Sequence, residues 1–151
     1  NVQWQLGNLR PLARPWVFAR VMRPLLGLPM TPDVQRGIDN AAQQATPLLQ
    51  QLEDWLTGAS TCQLGFQGGA VSAGCDGFHT FLAGTGQPTI ADLAAACEVT
   101  QYELMPDFHE AYLAKLPALG AWLRHMKTLP GYAQSHKLHS TIQRKAAELR
   151  V

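Results

Sequence analysis

The chain has 151 residues, 46% of them hydrophobic and 15% charged, with twelve Lys and Arg against eleven Asp and Glu for a formal net charge of +1. That balance excludes a disordered polyelectrolyte, and without a dense basic face neither nucleic acid nor an anionic membrane is expected as the main partner. The length predicts a single domain with a real core, and no apolar run approaches the length of about 18 residues that spans a bilayer.

The start, Asn1-Val2-Gln3, carries neither an initiator Met nor a signal-peptide pattern, so residues before Asn1 are expected to be missing or removed. A first helix is predicted over about 2–26, with Trp4, Leu9, Trp16, Val17, Val21 and Leu25 at its apolar positions. Pro11, Pro15 and Pro24 each remove an amide donor and are expected to bend or interrupt it. Gly27 ends it, and Thr31-Pro32-Asp33 opens a second helix as an N-cap followed by proline in the first turn. That helix runs to about residue 56, with Val34, Ile38, Ala41, Ala45, Leu48, Leu52 and Trp55 or Leu56 at helical spacing and a kink expected at Pro47.

Residues 57–80 are rich in Gly, Ser and Ala and read as one long loop, a length uncommon inside a compact domain. It is either a functional feature or a surface insertion. A third helix is predicted over about 89–105, ending at Pro106. Thr89 and Asp92 stand at capping-box spacing, with Asp in place of the usual Glu or Gln, and the helix they start is almost wholly apolar. Shorter helices follow over about 107–115 and 117–127. Pro130-Gly131 then turns the chain into a last helix over about 133–149, with Leu138, Ile142, Ala146 and Leu149 as its apolar stripe. No strand is expected, so the fold class read from the residues is all-α.

Cys62, Cys75 and Cys97 make no disulfide framework. Cys97 is expected to be an inert core thiol, while Cys62 and Cys75 flank the glycine-rich loop, where they could pair under oxidising conditions and default to free thiols of a reducing compartment. Asp92 is a lone acid in an apolar helix, but its place beside Thr89 makes it a structural cap. His136 and His139 are three apart, a spacing that suits a metal, yet no third ligand is near in sequence and no metal is expected. Gly65 and Gly68-Gly69 form no phosphate loop, because no Lys-Ser or Lys-Thr follows. Ser60, Ser72 and Cys75 have no identifiable base partner.

The ordered set of motifs resembles the C-terminal all-helical domain of glutathione S-transferases of the theta-like class. The set runs from Trp4, Asn8-Leu9-Arg10 and Val17-Phe18 through Pro24-Leu25 and Gly27-Leu28-Pro29 to Leu52-Glu53 and Trp55-Leu56. After the loop it continues with Phe81-Leu82, Thr89-Ile90-Ala91-Asp92-Leu93, Cys97-Glu98, Gln101, Pro117-x-Leu119-x-x-Trp122 and His136. The resemblance implies one glutathione S-transferase C-terminal-like helical bundle over residues 1–151, with the thioredoxin-like domain absent and 57–80 as an insertion. It departs from the family's short linker at 57–80, and Gln5 and Leu6 follow Trp4 where plant-like members carry histidines.

By this resemblance the chain is half of an enzyme. Family members take glutathione as cosubstrate, hold it in a thioredoxin-like domain and ionise its thiol there, so this chain alone is expected to bind none and to be inactive. Arg10 matches a position from which an Arg points towards the glutathione sulfur, where a guanidinium stabilises a thiolate or a departing anion. A surface Arg paired with a neighbour is the plainer reading. Trp4, Trp16 and Phe18 either line the pocket for an apolar electrophile or are core. The rival reading is a non-catalytic interaction or structural subunit of a larger assembly, since helical domains of this fold also dock partners. The implied partners are a thioredoxin-like domain or other protein subunits, with a homodimer the family's usual state. The implied compartment is the cytosol or an organelle interior.

Overall fold

The computed structural model describes residues 2–58 and 81–148, and among them there is no strand. The first helix, α1 (Val2–Ala13), passes directly into a π-helical segment (Arg14–Met22) and the short α2 (Arg23–Leu25). Its prolines therefore do not interrupt it. A proline ring presses on the carbonyl four residues back and has no N–H to bond it. A wider turn relieves that contact by handing carbonyls to donors five residues on, as where the Arg23 N–H bonds the Phe18 carbonyl. The stop is a Schellman turn at Gly27, whose φ of 65° only glycine adopts without strain. The Leu28 N–H reaches the Arg23 carbonyl at 2.9 Å and the Gly27 N–H the Pro24 carbonyl at 3.1 Å.

Helix α3 (Pro32–Leu56) starts as predicted, with the Thr31 hydroxyl accepting from the Val34 N–H at 3.3 Å. It continues through Pro47 and buries Ile38, Ala41, Ala45, Leu49, Leu52 and Leu56 along one stripe. The half-buried Leu48 packs beside that stripe rather than within it. Apart from Thr57 and Gly58, the expected loop at 57–80 lies outside the described residues, and Cys62 and Cys75 lie there too.

Helix α4 (Ile90–Tyr102) follows, then α5 (Phe108–Ala111), a 3-10 turn (Leu113–Lys115) and α6 (Pro117–Lys127). The last predicted helix is divided, into α7 (Tyr132–Ser135) and α8 (Lys137–Glu148), with His136 at the joint. Gly131, at φ 83°, makes the turn into α7. Helix α1 packs on α4, the π-helical segment on α3, and both α3 and α4 on α6. The enclosed core includes Leu9, Trp16, Leu49, Leu52, Phe81, Val99, Tyr102, Phe108, Leu119, Leu123 and Met126.

Two buried carboxylates tie these helices together. Asp92 is fully buried; one oxygen accepts from the Leu82 N–H at 2.8 Å and the Trp122 indole N–H at 3.0 Å. Its other oxygen accepts from the Thr89 N–H at 2.9 Å and the Thr89 hydroxyl at 2.7 Å, within a capping box that closes in both directions. Glu53, on α3, caps a different helix from the side: it accepts from the Ala118 and Leu119 N–H groups at 3.0 and 2.6 Å. The N-terminus of α6 begins at a proline and has no side-chain cap of its own, so this reach supplies the missing acceptors.

One expectation for α4 fails. The helix is mostly apolar, but Ile90, Leu93 and Cys97 share an exposed face, and Ile90 is 70% exposed. Cys97 is thus an exposed thiol and not a core one. Partial burial and the neighbouring Glu98 carboxylate push the thiol above its usual range, which leaves it protonated near neutrality.

Candidate functional site

An open, mainly apolar groove of about 710 Å³ is bordered by three segments. The end of α1 and the π-helical segment contribute Arg10, Ala13, Val17, Phe18 and Met22. Helix α4 and the residues after it contribute Glu98, Gln101 and Leu104, and α8 contributes Leu138, His139 and Ile142. The chain's local chemistry explains the arrangement. In the π register Val17, Phe18 and Met22 come to one side while Trp16 turns inward, and Leu138 and Ile142 lie one turn apart on α8. The result is an apolar trough with polar groups at one end.

That polar end is ordered around Glu98, which is 7% exposed. Gln101 donates to its carboxylate at 3.2 Å, and Gln5, on the inner side of α1, is hydrogen-bonded to it as well. Burial pushes the Glu98 carboxyl above the usual carboxylate range, and the Arg10 charge and the two amide bonds pull it back. Arg10 itself is exposed at the rim and forms no ion pair within 4.0 Å among the described residues. It is a cation at the edge of an apolar trough, with the Glu98 carboxyl near enough to feel its charge. Beneath, the Tyr102 hydroxyl donates to the Leu9 carbonyl at 2.6 Å, and burial pushes its phenol far up, so it remains a neutral strut.

The structure brings two of the four predicted substrate residues together: Arg10 and Phe18 both line the groove, Phe18 being 39% exposed. Trp16 is elsewhere. It is 1% exposed and packs against Tyr102, Tyr112 and Phe108 at ring distances of 5.1, 5.3 and 6.3 Å. Trp4 packs edge-on against Trp55 at 4.7 Å, away from the groove residues. Thr89 and Asp92 stand in the helix cap already described. Among the described residues no three His, Cys, Asp or Glu side chains are grouped to hold a metal, and His136 and His139 have ring centres 6.4 Å apart. No described helix is long and apolar enough to cross a membrane.

Sequence reasoning missed the groove role of Glu98, Gln101 and His139. In the sequence Glu98 and Gln101 stood only as motif positions, and His139 only as half of a metal-like spacing. The usable signal was their pairing: a Glu and Gln three apart on one helix, facing a Leu-His-x-x-Ile run on another.

Comparison with known proteins agrees with the helical build. No family model and no solved structure matches the chain. Among curated proteins it is 31% identical over 141 residues to Glutathione S-transferase T3 of Arabidopsis thaliana, covering 91% of this chain and 20% of that protein. It is 29% identical over 141 residues to Glutathione S-transferase T1 of the same plant, covering 49% of that relative. To Glutathione S-transferase T2 it is 30% identical over 106 residues, 70% of this chain and 14% of that protein. The chain thus spans half or less of the length of these relatives. Over most of its length it is a homologue of the glutathione S-transferases, with the all-helical architecture of their C-terminal domain.

Proposed function

We propose that residues 1–151 form a single helical substrate-binding domain of a theta-like glutathione S-transferase, and that the groove is its wall for small apolar electrophiles. The observation that carries this reading is the meeting of Phe18, Val17, Met22, Leu138 and Ile142 with the exposed Arg10 in one open trough. In the proposed reaction the glutathione sulfur attacks carbon, the new C–S bond forms as a carbon–halogen bond breaks, and the halide leaves with the electron pair. The thiol proton goes to solvent. Arg10 stands where a guanidinium favours the thiolate or the departing anion.

The glutathione-holding half belongs, in this reading, to thioredoxin-like polypeptide outside this chain, and the relatives' greater length supports it. The exposed face of Ile90, Leu93 and Cys97 offers a surface for it. The same apolar face also favours a second reading, a docking module in a larger assembly, in which the groove is incidental. Cytosol or an organelle interior is the compartment that fits the first reading.

A direct test adds 1-chloro-2,4-dinitrobenzene to the chain, following binding by tryptophan fluorescence and conjugation by absorbance with glutathione present. Saturable binding without turnover is expected, with binding weakened about tenfold or more in Phe18→Glu. Turnover by this chain alone would overturn the division of labour, and absence of binding would favour the docking module.

A further inference from the structure

His139 lies where α8 meets α4, and its ring forms part of the groove wall. Its ring faces the backbone of Thr100, which favours a proton on it, while Nε2 is buried and has no partner. With Nδ1 carrying the proton on the Thr100 side, Nε2 is a bare acceptor in a neutral ring. Around it the α7–α8 joint is packed by rings: Tyr132 stacks on His136 at 4.0 Å, and the Tyr132 hydroxyl is hydrogen-bonded to the Thr100 hydroxyl. Beyond this cluster α8 has little hold, with Ala146 buried, Ile142 half-buried and Leu138 71% exposed.

We propose that neutral His139 is a positioning residue that latches α8 against α4, keeping Leu138 and Ile142 in the groove wall, and that mild acid releases the latch and weakens apolar binding. A second proton would sit on Nε2, where the structure provides no acceptor, so a charged ring must leave its place for water. The surrounding charges do not compensate. Just after α4, Glu103 favours the proton, but it is tied to Lys127 of α6 at 2.7 Å, and Lys127 opposes it. His136 opposes it as well, and in the groove lining Arg10 and Glu98 are opposite charges that act on each other. Burial accordingly pushes the ring below its ordinary 6.5. The released helix then binds a proton that the latched one does not, so the balance moves towards release as pH falls below about 6.5. This inference deepens the groove reading above and rests on it for the ligand, though the latch itself can be measured without one.

The test titrates the chain with 8-anilinonaphthalene-1-sulfonate from about pH 8 to about pH 5. In parallel, the Ile142 methyl shifts are followed by NMR with no probe present. Wild-type affinity is expected to fall about fivefold or more on acidification, with the methyl shifts moving in step. An imidazolium would by itself attract the sulfonate, so a loss identifies release of the wall rather than added charge. His139→Asn keeps a donor at the δ position but cannot titrate, and should bind as wild type at the upper pH and stay flat. His139→Ala, checked for folding by circular dichroism, should bind weakly throughout. Parallel pH loss in wild type and His139→Asn would overturn the latch and point to Glu98, and a flat wild-type methyl titration would overturn it outright. If the probe fails to bind at any pH while the methyls still titrate through His139, the groove reading falls and the latch stands.

Discussion

Helices α4 and α8 both border the groove, but they are held to the molecule by opposite means. The start of α4 is fixed by a fully buried carboxylate with all its neighbours satisfied: Asp92 accepts from Leu82, Thr89 and Trp122. The start of α8 is held by the stacked rings of Tyr132 and His136 and by the His139 imidazole, whose Nε2 is buried and bare. A satisfied polar hub in low dielectric is rigid, because every alternative position strands a donor. A half-satisfied one has somewhere better to go once it gains a proton. One side of the groove is therefore a frame and the other a movable wall.

The sharpest way to break the frame is Asp92→Ala. Three N–H groups lose their acceptor at once, two of them on segments far apart in sequence. Each stranded buried donor costs about 1–3 kcal/mol, so a total loss of about 4 kcal/mol is expected, read as a lowered midpoint in urea unfolding. A loss of only about 1 kcal/mol, the size of an ordinary N-cap deletion, would mean that the hub is a cap and nothing more.

Glu53→Ala probes the same principle at the other end of the core and should cost somewhat less, about 2–3 kcal/mol, because two N–H groups are left. Glu53→Gln retains one acceptor oxygen and should recover roughly half of the loss. Equal losses in both variants would show that the charge, rather than the accepting geometry, secures α6.

The helical succession was legible because apolar periodicity and caps are local: Thr31-Pro32 and Pro117 mark their helix starts within a residue of the structure. The effect of the prolines in the first helix was only partly legible, for the opposite reason. Proline is a breaker in an α-helix, but the packing of this segment on α3 supports a wider turn that accommodates it, and such support is tertiary. Asp92 shows both sides of the matter. Its bond to Thr89 follows from a three-residue spacing, whereas those to Leu82 and Trp122 span ten and thirty residues and leave no local trace. The groove was half legible on the same grounds: Arg10 and Phe18 sit on one helix, but Trp16 could be told from them only by the change of helical register that turns it into the core.

The movable wall can be separated from the fold altogether with Leu138→Ser. Leu138 is 71% exposed, so it contributes little buried area and its loss should change unfolding by no more than about 0.5 kcal/mol. It nevertheless lines the groove, where an apolar ligand would cover it. A fully covered Leu side chain is worth roughly 1.5–3 kcal/mol of transfer; partial cover by a small ligand leaves about 1 kcal/mol, or about fivefold in affinity for the sulfonate probe near neutral pH. Stability lost without affinity would return Leu138 to the core. Affinity lost without stability means that the side chain serves the ligand, and that α8 is held in place by its few inward residues so that its outward ones can meet what enters the trough.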